Sequence, residues 1–423
     1  MDINTAYSER DNEYIRSLFT GIDRNTTAAV SKMTRDDVDV KRGLRNADGT
    51  GVMIGYTQIG NVLGYSVVDG QRVPMEGHLS YGGYDVVDLI EGYQKENRFG
   101  FEEVAYLLLL GRLPNQTELE RFKNFLYDYM ALPENFTEDM ILKHPSRDIM
   151  NQLGRAILAL YSSDPNPDST ALDNIVRQCF QLIARFPTII AHSFAVKRHY
   201  FDDKSLYLHR PVKGLSIAEN FLRAIRPDKQ YTPEEARLLD LCLVAHAEHG
   251  GANNQVMRQF SEIKAAVKDW KDEEEVANYL RRILKKEVGD HSGLVYGMGH
   301  AVYTLSDPRA IMLIKYARSL TEKTGLLPEL ELMGTIERLT PPLFAEITGK
   351  AKIMCANVDM YSGLVYTMLN IPQELFTPLF AMARITGWCA HRLEEVVTGG
   401  RIMRPAYKAL FQHQEYIPLD QRT

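Results

Sequence analysis

The chain of 423 residues lacks several features that mark particular classes of protein. It has only four cysteines, and Cys179, Cys242, Cys355 and Cys389 form no Cys-x-x-Cys pair. Such spacing predicts small buried residues in a reducing compartment rather than a disulfide framework. A basic excess is also missing, because the formal net charge is -6. Without surplus positive charge to neutralise phosphates, a nucleic-acid partner is not expected.

Long apolar runs are missing as well. The first 24 residues are polar and charged and contain no apolar signal core. No later segment is expected to be long and apolar enough to cross a bilayer. We therefore expect a cytoplasmic protein without a membrane partner.

The regular alternation of strand and helix that a doubly wound sheet needs is absent too, so we predict a mainly α fold. The exception is the glycine-rich stretch 43–84, where Asp69-Gly70 between apolar runs predicts a small β-hairpin. The length allows a large helical domain with a smaller one.

Several helix ends can be predicted from local signals. Gly111 closes an apolar helix that starts at Phe101, and Thr232-Pro233 opens another helix. Thr117 is predicted as the cap of a capping box, and the Phe186-Pro187-Thr188 triplet is predicted to precede a new helix.

The first candidate site is the pair His246 and His249, spaced i and i+3 at the end of an apolar helix. On a continuing helix the two rings share a face. One alternative is a pair of hydrogen-bonded histidines at a helix end, where Gly250-Gly251 stops the helix. A zinc site that includes Glu248 is disfavoured, because the spacing is not His-Glu-x-x-His and no third ligand cluster is evident.

The second candidate is the loop Gly297-Met298-Gly299 before His300, followed by Arg309. Glycines here let the backbone pass very close to another group. Arg309 stands in the first turn of a helix, where the dipole disfavours a cation unless an anion is near. The alternative is a plain glycine turn with an exposed histidine and arginine.

The third candidate is Asp359, which is the only charged residue between Lys352 and Glu374. A poorly solvated carboxylate is typical of general bases that work near neutral pH. The alternative is that Asp359 caps a helix. Arg384 lies in an apolar helix, where a guanidinium usually meets an anion, and Arg404 is a further candidate. Histidines, an aspartate and arginines together indicate proton transfer on a small di- or tricarboxylate.

These segments closely resemble citrate synthases. The likeness is carried by residues 297–310, by Ala356 to Gly363, by Glu374 to His391 and by Gly92 to Pro114, and residues 43–52 resemble a bacterial branch of the family. The resemblance implies a nearly all-α homodimer. It places the large helical domain at residues 1–250 and 365–423 and the small, closing domain at residues 251–364.

The resemblance also implies a role for each candidate residue. His300 would polarise the ketone of oxaloacetate, Asp359 would remove a proton from acetyl-CoA, and His249 would stabilise the enol. The remaining candidates would bind substrate: His246, Arg309, Arg384 and Arg404 hold oxaloacetate, with Arg404 reaching the partner subunit's site, and Gly297, Met298 and Gly299 lie against coenzyme A. No metal and no permanently bound cofactor are implied, because the coenzyme A thioester is a co-substrate.

The chain departs from the family at the histidine motifs. The family has one motif, His-x-Asp/Glu-His, and a later His-Gly-Gly-Ala-Asn, separated by several helical turns. Here His246 to His249 runs directly into Gly250-Gly251-Ala252-Asn253. Either a deletion or a stretch omitted from the written chain would explain this. Three functions stay open: a citrate synthase, a 2-methylcitrate synthase that uses propionyl-CoA, and an inactive dicarboxylate-binding relative.

Overall fold

The computed structural model describes three stretches of the chain, residues 41–46, 50–248 and 253–399. The N-terminal stretch before Lys41, whose first 24 residues are polar and charged, lies outside them. So does the junction between the two histidine motifs at residues 249–252.

The chain divides by its internal contacts into two units, residues 1–55 with 401–423, and residues 56–400. The described part of the first unit holds a 3₁₀ turn at Arg42–Leu44 and one antiparallel bridge between Arg45 and Gly51. The division into large and small domains at residues 250 and 364 stays a prediction.

The second unit is built mainly of α-helices, as the sequence predicts. Thirteen occur among the described residues: α1 Val86–Lys95, α2 Phe101–Leu110, α3 Gln116–Met130, α4 Ile149–Leu160, α5 Leu172–Phe201, α6 Ile217–Ile225, α7 Pro233–His246, α8 Asn253–Ala266, α9 Glu273–Leu284, α10 Pro308–Thr324, α11 Leu327–Thr348, α12 Val358–Met368 and α13 Phe376–Thr398. Short 3₁₀ turns at Tyr161–Ser163 and Gln373–Leu375 and a π-helical turn at Thr137–Leu142 complete the helical part.

The described strands form one small antiparallel sheet. It has the order β1 (Gly60–Val68), β2 (Gln71–Tyr81) and β3 (Tyr84–Asp85). The predicted hairpin is confirmed, because Asp69 and Gly70 form its two-residue turn with φ values of 51° and 75°. Positive φ at both positions suits Asp-Gly and matches the twist of the two strands.

Two of the predicted helix ends are confirmed. Gly111 ends α2 with φ 73°, and Thr232 forms a capping box at the start of α7. The cap predicted at Thr117 is wrong. Asn115 accepts from the backbone of Glu118 and Glu118 reaches back to Asn115, so α3 starts two residues earlier.

Helix α5 contradicts two expectations. It continues without a break through Pro187, so no new helix starts there. With 30 residues it is also long and apolar enough to cross a membrane by length and composition. However, 67% of its most apolar window is buried inside the protein, as in a core helix. It packs against α3, α4, α6 and α13, and this tertiary packing holds the helix together across the proline.

Helix α13 meets the end of α7 at unusually short range. The backbone N–H of Gly387 donates to the carbonyl oxygen of Ala247 at 3.0 Å. A Cβ atom at position 387 would lie 2.5 Å from that oxygen and 3.1 Å from the Cα of Glu248. Only glycine allows this approach, which places α13 beside the end of α7, where His246 lies.

We predict that Gly387→Ala destabilises the protein by about 1–3 kcal/mol, because overpacking against backbone atoms outweighs the gain in helix propensity. Gly154→Ala is the matched control, since Gly154 is also inside a helix and its Cβ would meet open space. Urea unfolding should lower the midpoint for the first variant and raise it slightly for the second. Equal stabilisation of both would contradict the close contact.

Candidate active site

The loop before His300 is bound to the segment before Asp359 by backbone hydrogen bonds. Gly299 N–H donates to the carbonyl of Cys355 at 2.8 Å, and Asn357 N–H donates to the carbonyl of Gly297 at 2.9 Å. The Asn357 side-chain amide also donates to the carbonyl of Gly299 at 2.9 Å. His300 and Asp359 therefore start from two short segments that are fixed to each other.

The predicted close passage of the backbone occurs at Gly297. Its φ is 86°, and a Cβ there would lie 2.8 Å from the sulfur and 3.1 Å from the Cα of Met360. Glycine thus lets the loop lie directly on α12. Contact of Gly297, Met298 and Gly299 with coenzyme A stays a prediction.

His300 is half-buried and its ring orientation is fixed by the backbone. Its Nδ1 accepts from the N–H groups of Val302 and Tyr303, both at 3.0 Å. The ring also stacks on Tyr303 with centroids 4.6 Å apart. Because Nδ1 is an acceptor, the proton of the neutral ring must be on Nε2. His300 can therefore offer an N–H donor without being charged.

Asp359 lies in the first turn of α12 and is 8% exposed. The alternative that it caps the helix is wrong, because the cap is Asn357, whose Oδ1 accepts from the N–H of Asp359 at 3.0 Å. Its carboxylate is therefore not needed for capping.

Arg309 is fully buried in the first turn of α10 and forms a two-point ion pair with Asp307. Nε and Nη2 donate to the two carboxylate oxygens at 2.9 and 2.7 Å. Burial opposes ionisation of Asp307, but the Arg309 charge holds the pKa of that carboxyl below its ordinary value. Asp307 also accepts from the N–H of Val358 at 3.0 Å. The alternative of an exposed arginine is thus wrong.

Arg384 of α13 lies beside His246 at the end of α7. Its Nε donates to the carbonyl of His246 at 3.2 Å, and its guanidinium lies 4.8 Å from the ring centre of Phe380. The buried Nη2 has no hydrogen-bond partner among the described residues. Burial lowers the pKa of this guanidinium. A half-buried arginine whose buried nitrogen has a spare donor is a typical place for a carboxylate.

His246 is buried and carries the opposite tautomer to His300. Its Nδ1–H donates to the carbonyl of Cys242 at 2.8 Å, so Nε2 of the neutral ring is an acceptor. Burial lowers its pKa to about 4, and the charges of Arg309 and Arg384 act in the same direction. Contact with an anionic oxygen at Nε2 therefore requires proton uptake by the ring.

Glu248 is the last described residue before the junction. One carboxylate oxygen accepts from Nε2 of His391 at 3.1 Å, and this contact raises the pKa of His391. Its charge also acts on Arg384 and Tyr81. His249 and Arg404 lie outside the described residues, so their predicted roles stay predictions.

The sequence analysis missed several residues that hold the site in place. Asp307 caps α10 and also pairs with Arg309. Tyr303 stacks on His300 and has the Arg309 guanidinium 5.4 Å from its ring centre. Tyr81 is buried and donates to the carbonyl of Val244 at 3.1 Å. An aspartate two residues before a buried arginine is the one signal that could have indicated the pair.

Comparison with known proteins decides the family. The family described as citrate synthase, C-terminal domain, matches residues 48–254 and 248–406. The chain is 30% identical to a citrate synthase of Synechocystis over 82% of its own length and 89% of that protein. It is 30% identical to citrate synthase 2 of Bacillus subtilis over 82% of its own length and 94% of that protein. The chain belongs to the citrate synthase family of enzymes.

Solved structures agree with this. The citrate synthase of Pyrobaculum aerophilum superposes with a TM-score of 0.71 at 27% identity, covering 90% of this chain and 95% of that one. The citrate synthase of Thermotoga maritima superposes with a TM-score of 0.66 at 25% identity, covering 91% of this chain and 99% of that one.

The two matched ranges of the family overlap at residues 248–254. This short segment fits both the end of the first range and the start of the second. Such an overlap is expected if the family segment between the two histidine motifs is absent here, whether by deletion or by omission.

We predict that the neutral His246 makes stability depend on pH in acid. The unfolded chain takes up a proton below the ordinary pKa of about 6.5, whereas the folded chain does so only near pH 4. The stabilisation that the neutral ring contributes to the free energy of unfolding is therefore complete above pH 6.5 and is lost as the pH falls towards 4. In urea unfolding, the free energy of unfolding of His246→Gln should fall less steeply over this pH range than that of the wild type. An unchanged pH slope would contradict the lowered pKa.

We predict that Asp307→Asn lowers the free energy of unfolding by about 3–5 kcal/mol, because it leaves the buried Arg309 charge without its carboxylate. Asp139→Asn is the control, since its pair with Lys143 lies on the surface and should contribute little. Chemical unfolding of both variants measures the difference. An equal, small effect would show that the buried pair does not hold this part of the site.

Proposed function

We propose that this enzyme condenses the acetyl group of acetyl-CoA with oxaloacetate and water to give citrate and free coenzyme A. The observation that carries the proposal is the fixed arrangement of His300 and Asp359. An oriented neutral N–H donor and a poorly solvated carboxylate are joined through the hydrogen bonds between their supporting segments.

His300 supplies the electrophilic side of the reaction. Its Nε2–H can donate to the keto oxygen of oxaloacetate and so stabilise the negative charge that develops there. The amides of Val302 and Tyr303 keep the proton on Nε2. The ring therefore needs no tautomer change before it acts.

Asp359 supplies the base. A thioester methyl group is a very weak carbon acid, so its proton can be removed only while the forming enolate is stabilised. His249 is proposed to donate to the thioester oxygen for this purpose. The enol then attacks the ketone, and hydrolysis of the citryl-CoA thioester drives the reaction forward.

The arginines bind the carboxylates of oxaloacetate. The support for Arg384 is its buried Nη2, which lacks a partner among the described residues. Arg309 is proposed to contribute charge from its fixed position beside Asp307, and His246 to take up a proton when the dianion arrives. Coenzyme A enters as part of the thioester co-substrate, against Gly297 to Gly299, and no resident cofactor takes part.

The remaining proposals rest on the family resemblance. The enzyme is proposed to be a cytoplasmic homodimer in which Arg404 reaches the partner's site. The small domain, residues 251–364, is proposed to close over the substrates and exclude water until the condensation is complete.

We predict that Asp359→Asn abolishes release of free coenzyme A from acetyl-CoA and oxaloacetate while leaving oxaloacetate affinity nearly unchanged. The amide cannot accept the methyl proton, whereas the carboxylate-binding groups are intact. Thiol release measures turnover, and calorimetry measures oxaloacetate binding.

Asp88→Asn is the control, because Asp88 is exposed on α1 and should leave turnover unchanged. Propionyl-CoA in place of acetyl-CoA tests the 2-methylcitrate alternative. A 2-methylcitrate synthase would release free coenzyme A faster from propionyl-CoA than from acetyl-CoA. Oxaloacetate binding by the folded wild type without any thiol release would instead show an inactive relative. Either result would contradict the proposed reaction.

A further inference from the structure

Two thiols that the proposed reaction does not use meet between α5 and α13. Cys179 and Cys389 are 210 positions apart and are each 4% exposed. The Cys179 sulfur lies 3.9 Å from the carbonyl oxygen of Cys389, and the Cys389 sulfur lies 3.8 Å from the carbonyl oxygen of Cys179. This reciprocal contact places each sulfur against the other residue, although the sequence alone indicates two unrelated buried cysteines.

A cavity of about 420 Å³ reaches this pair from the surface. Cys179 and Cys389 both line it, together with the apolar Leu182 and Trp388 and the charged Arg392. Trp388 is 49% exposed, so this side of the cavity is open. The volume is within the range of pockets that bind small molecules. A small reagent can therefore reach two otherwise buried sulfurs.

The two thiols differ in acidity. A hydrogen bond from the Cys389 thiol lowers the pKa of Cys179, and the Arg392 charge acts in the same direction. Arg392 is itself paired with Glu395 at 2.8 Å. The same contact between the thiols raises the pKa of Cys389. Cys179 is thus the better nucleophile, because the thiolate is the reactive form.

We propose that Cys179 and Cys389 are a thiol modification site at which a low-molecular-weight disulfide forms an intramolecular disulfide bond. The Cys179 thiolate attacks one sulfur of the reagent, and the reagent's S–S bond breaks to release one thiolate. Cys389 then loses its proton and attacks the sulfur of Cys179 in the mixed disulfide, releasing the second. Two protein thiols are oxidised and one reagent disulfide is reduced to two thiols.

The other two cysteines provide an internal comparison. Cys242 and Cys355 are buried, and burial raises the pKa of both thiols, that of Cys355 to about 12. Neither lines the cavity beside Cys179. Both should stay reduced under conditions that oxidise the pair.

The bond would also act on the helix that carries part of the active site. Cys389 lies five residues after Arg384 and two after Gly387 in α13. A disulfide needs its sulfurs about 2.05 Å apart, so the two thiol side chains must turn towards each other when the bond forms. Trp388 is adjacent and its fluorescence should report the change, independently of any turnover.

The test is to treat the folded, full-length protein with oxidised glutathione and to follow mass and thiol content. The expected result is a loss of two hydrogens, a fall from four free thiols to two, and a cross-linked peptide that joins Cys179 to Cys389. Trp388 emission should change at the same rate, and dithiothreitol should restore all signals.

Two variants keep the test decisive. Cys389→Ser should stop at one bound glutathione on Cys179, because the second thiol is missing. Cys355→Ser should form the cross-link like the wild type. Oxidation of Cys242 or Cys355 at the same rate, a disulfide between two chains, or reaction only after denaturation would each overturn the proposal.

Discussion

The buried ion pair between Asp307 and Arg309 is the interaction on which the rest of the active site depends. Both side chains are almost completely shielded from water, so each needs the other to remain charged. The carboxylate also accepts from the N–H of Val358, next to Asp359. One aspartate therefore neutralises an arginine, starts α10 and fixes the first turn of α12. Any displacement of Asp307 would move the proposed general base, Asp359, and the buried positive charge together.

The loop that carries His300 is likewise held by contacts with two other parts of the chain. It is fixed on one side to the segment before Asp359 and on the other side to the β-hairpin. Thr304 accepts from the backbone of Met75 at 3.3 Å and Ser306 from that of Gly77 at 3.0 Å. The small sheet is thus a support for the loop that carries His300. This explains why a mainly helical protein keeps a hairpin so far from its site in sequence.

Local signals in the sequence predicted the mainly helical fold, the helix ends at Gly111 and Thr232, the Asp-Gly hairpin and the candidate residues. They failed where tertiary packing decides, because burial of α5 on several sides keeps it helical through Pro187. The opposite tautomers of His246 and His300 could not be predicted either, and the pairing of Arg309 with Asp307 was not recognised from their spacing alone. They depend on which carbonyl, amide or carboxylate meets each ring and guanidinium in space. Similarly, the contact between Cys179 and Cys389 exists only because two distant helices pack together.

The central claim is that the imidazole of His300 and the carboxylate of Asp359 act on one bound pair of substrates. A crystal structure with oxaloacetate and an unreactive acetyl-CoA analogue tests it most directly. The claim predicts the keto oxygen within hydrogen-bond distance of His300 Nε2 and the Asp359 carboxylate facing the analogue's methyl position. Ligands bound elsewhere would contradict it. So would a structure in which His300 and Asp359 face two separate cavities.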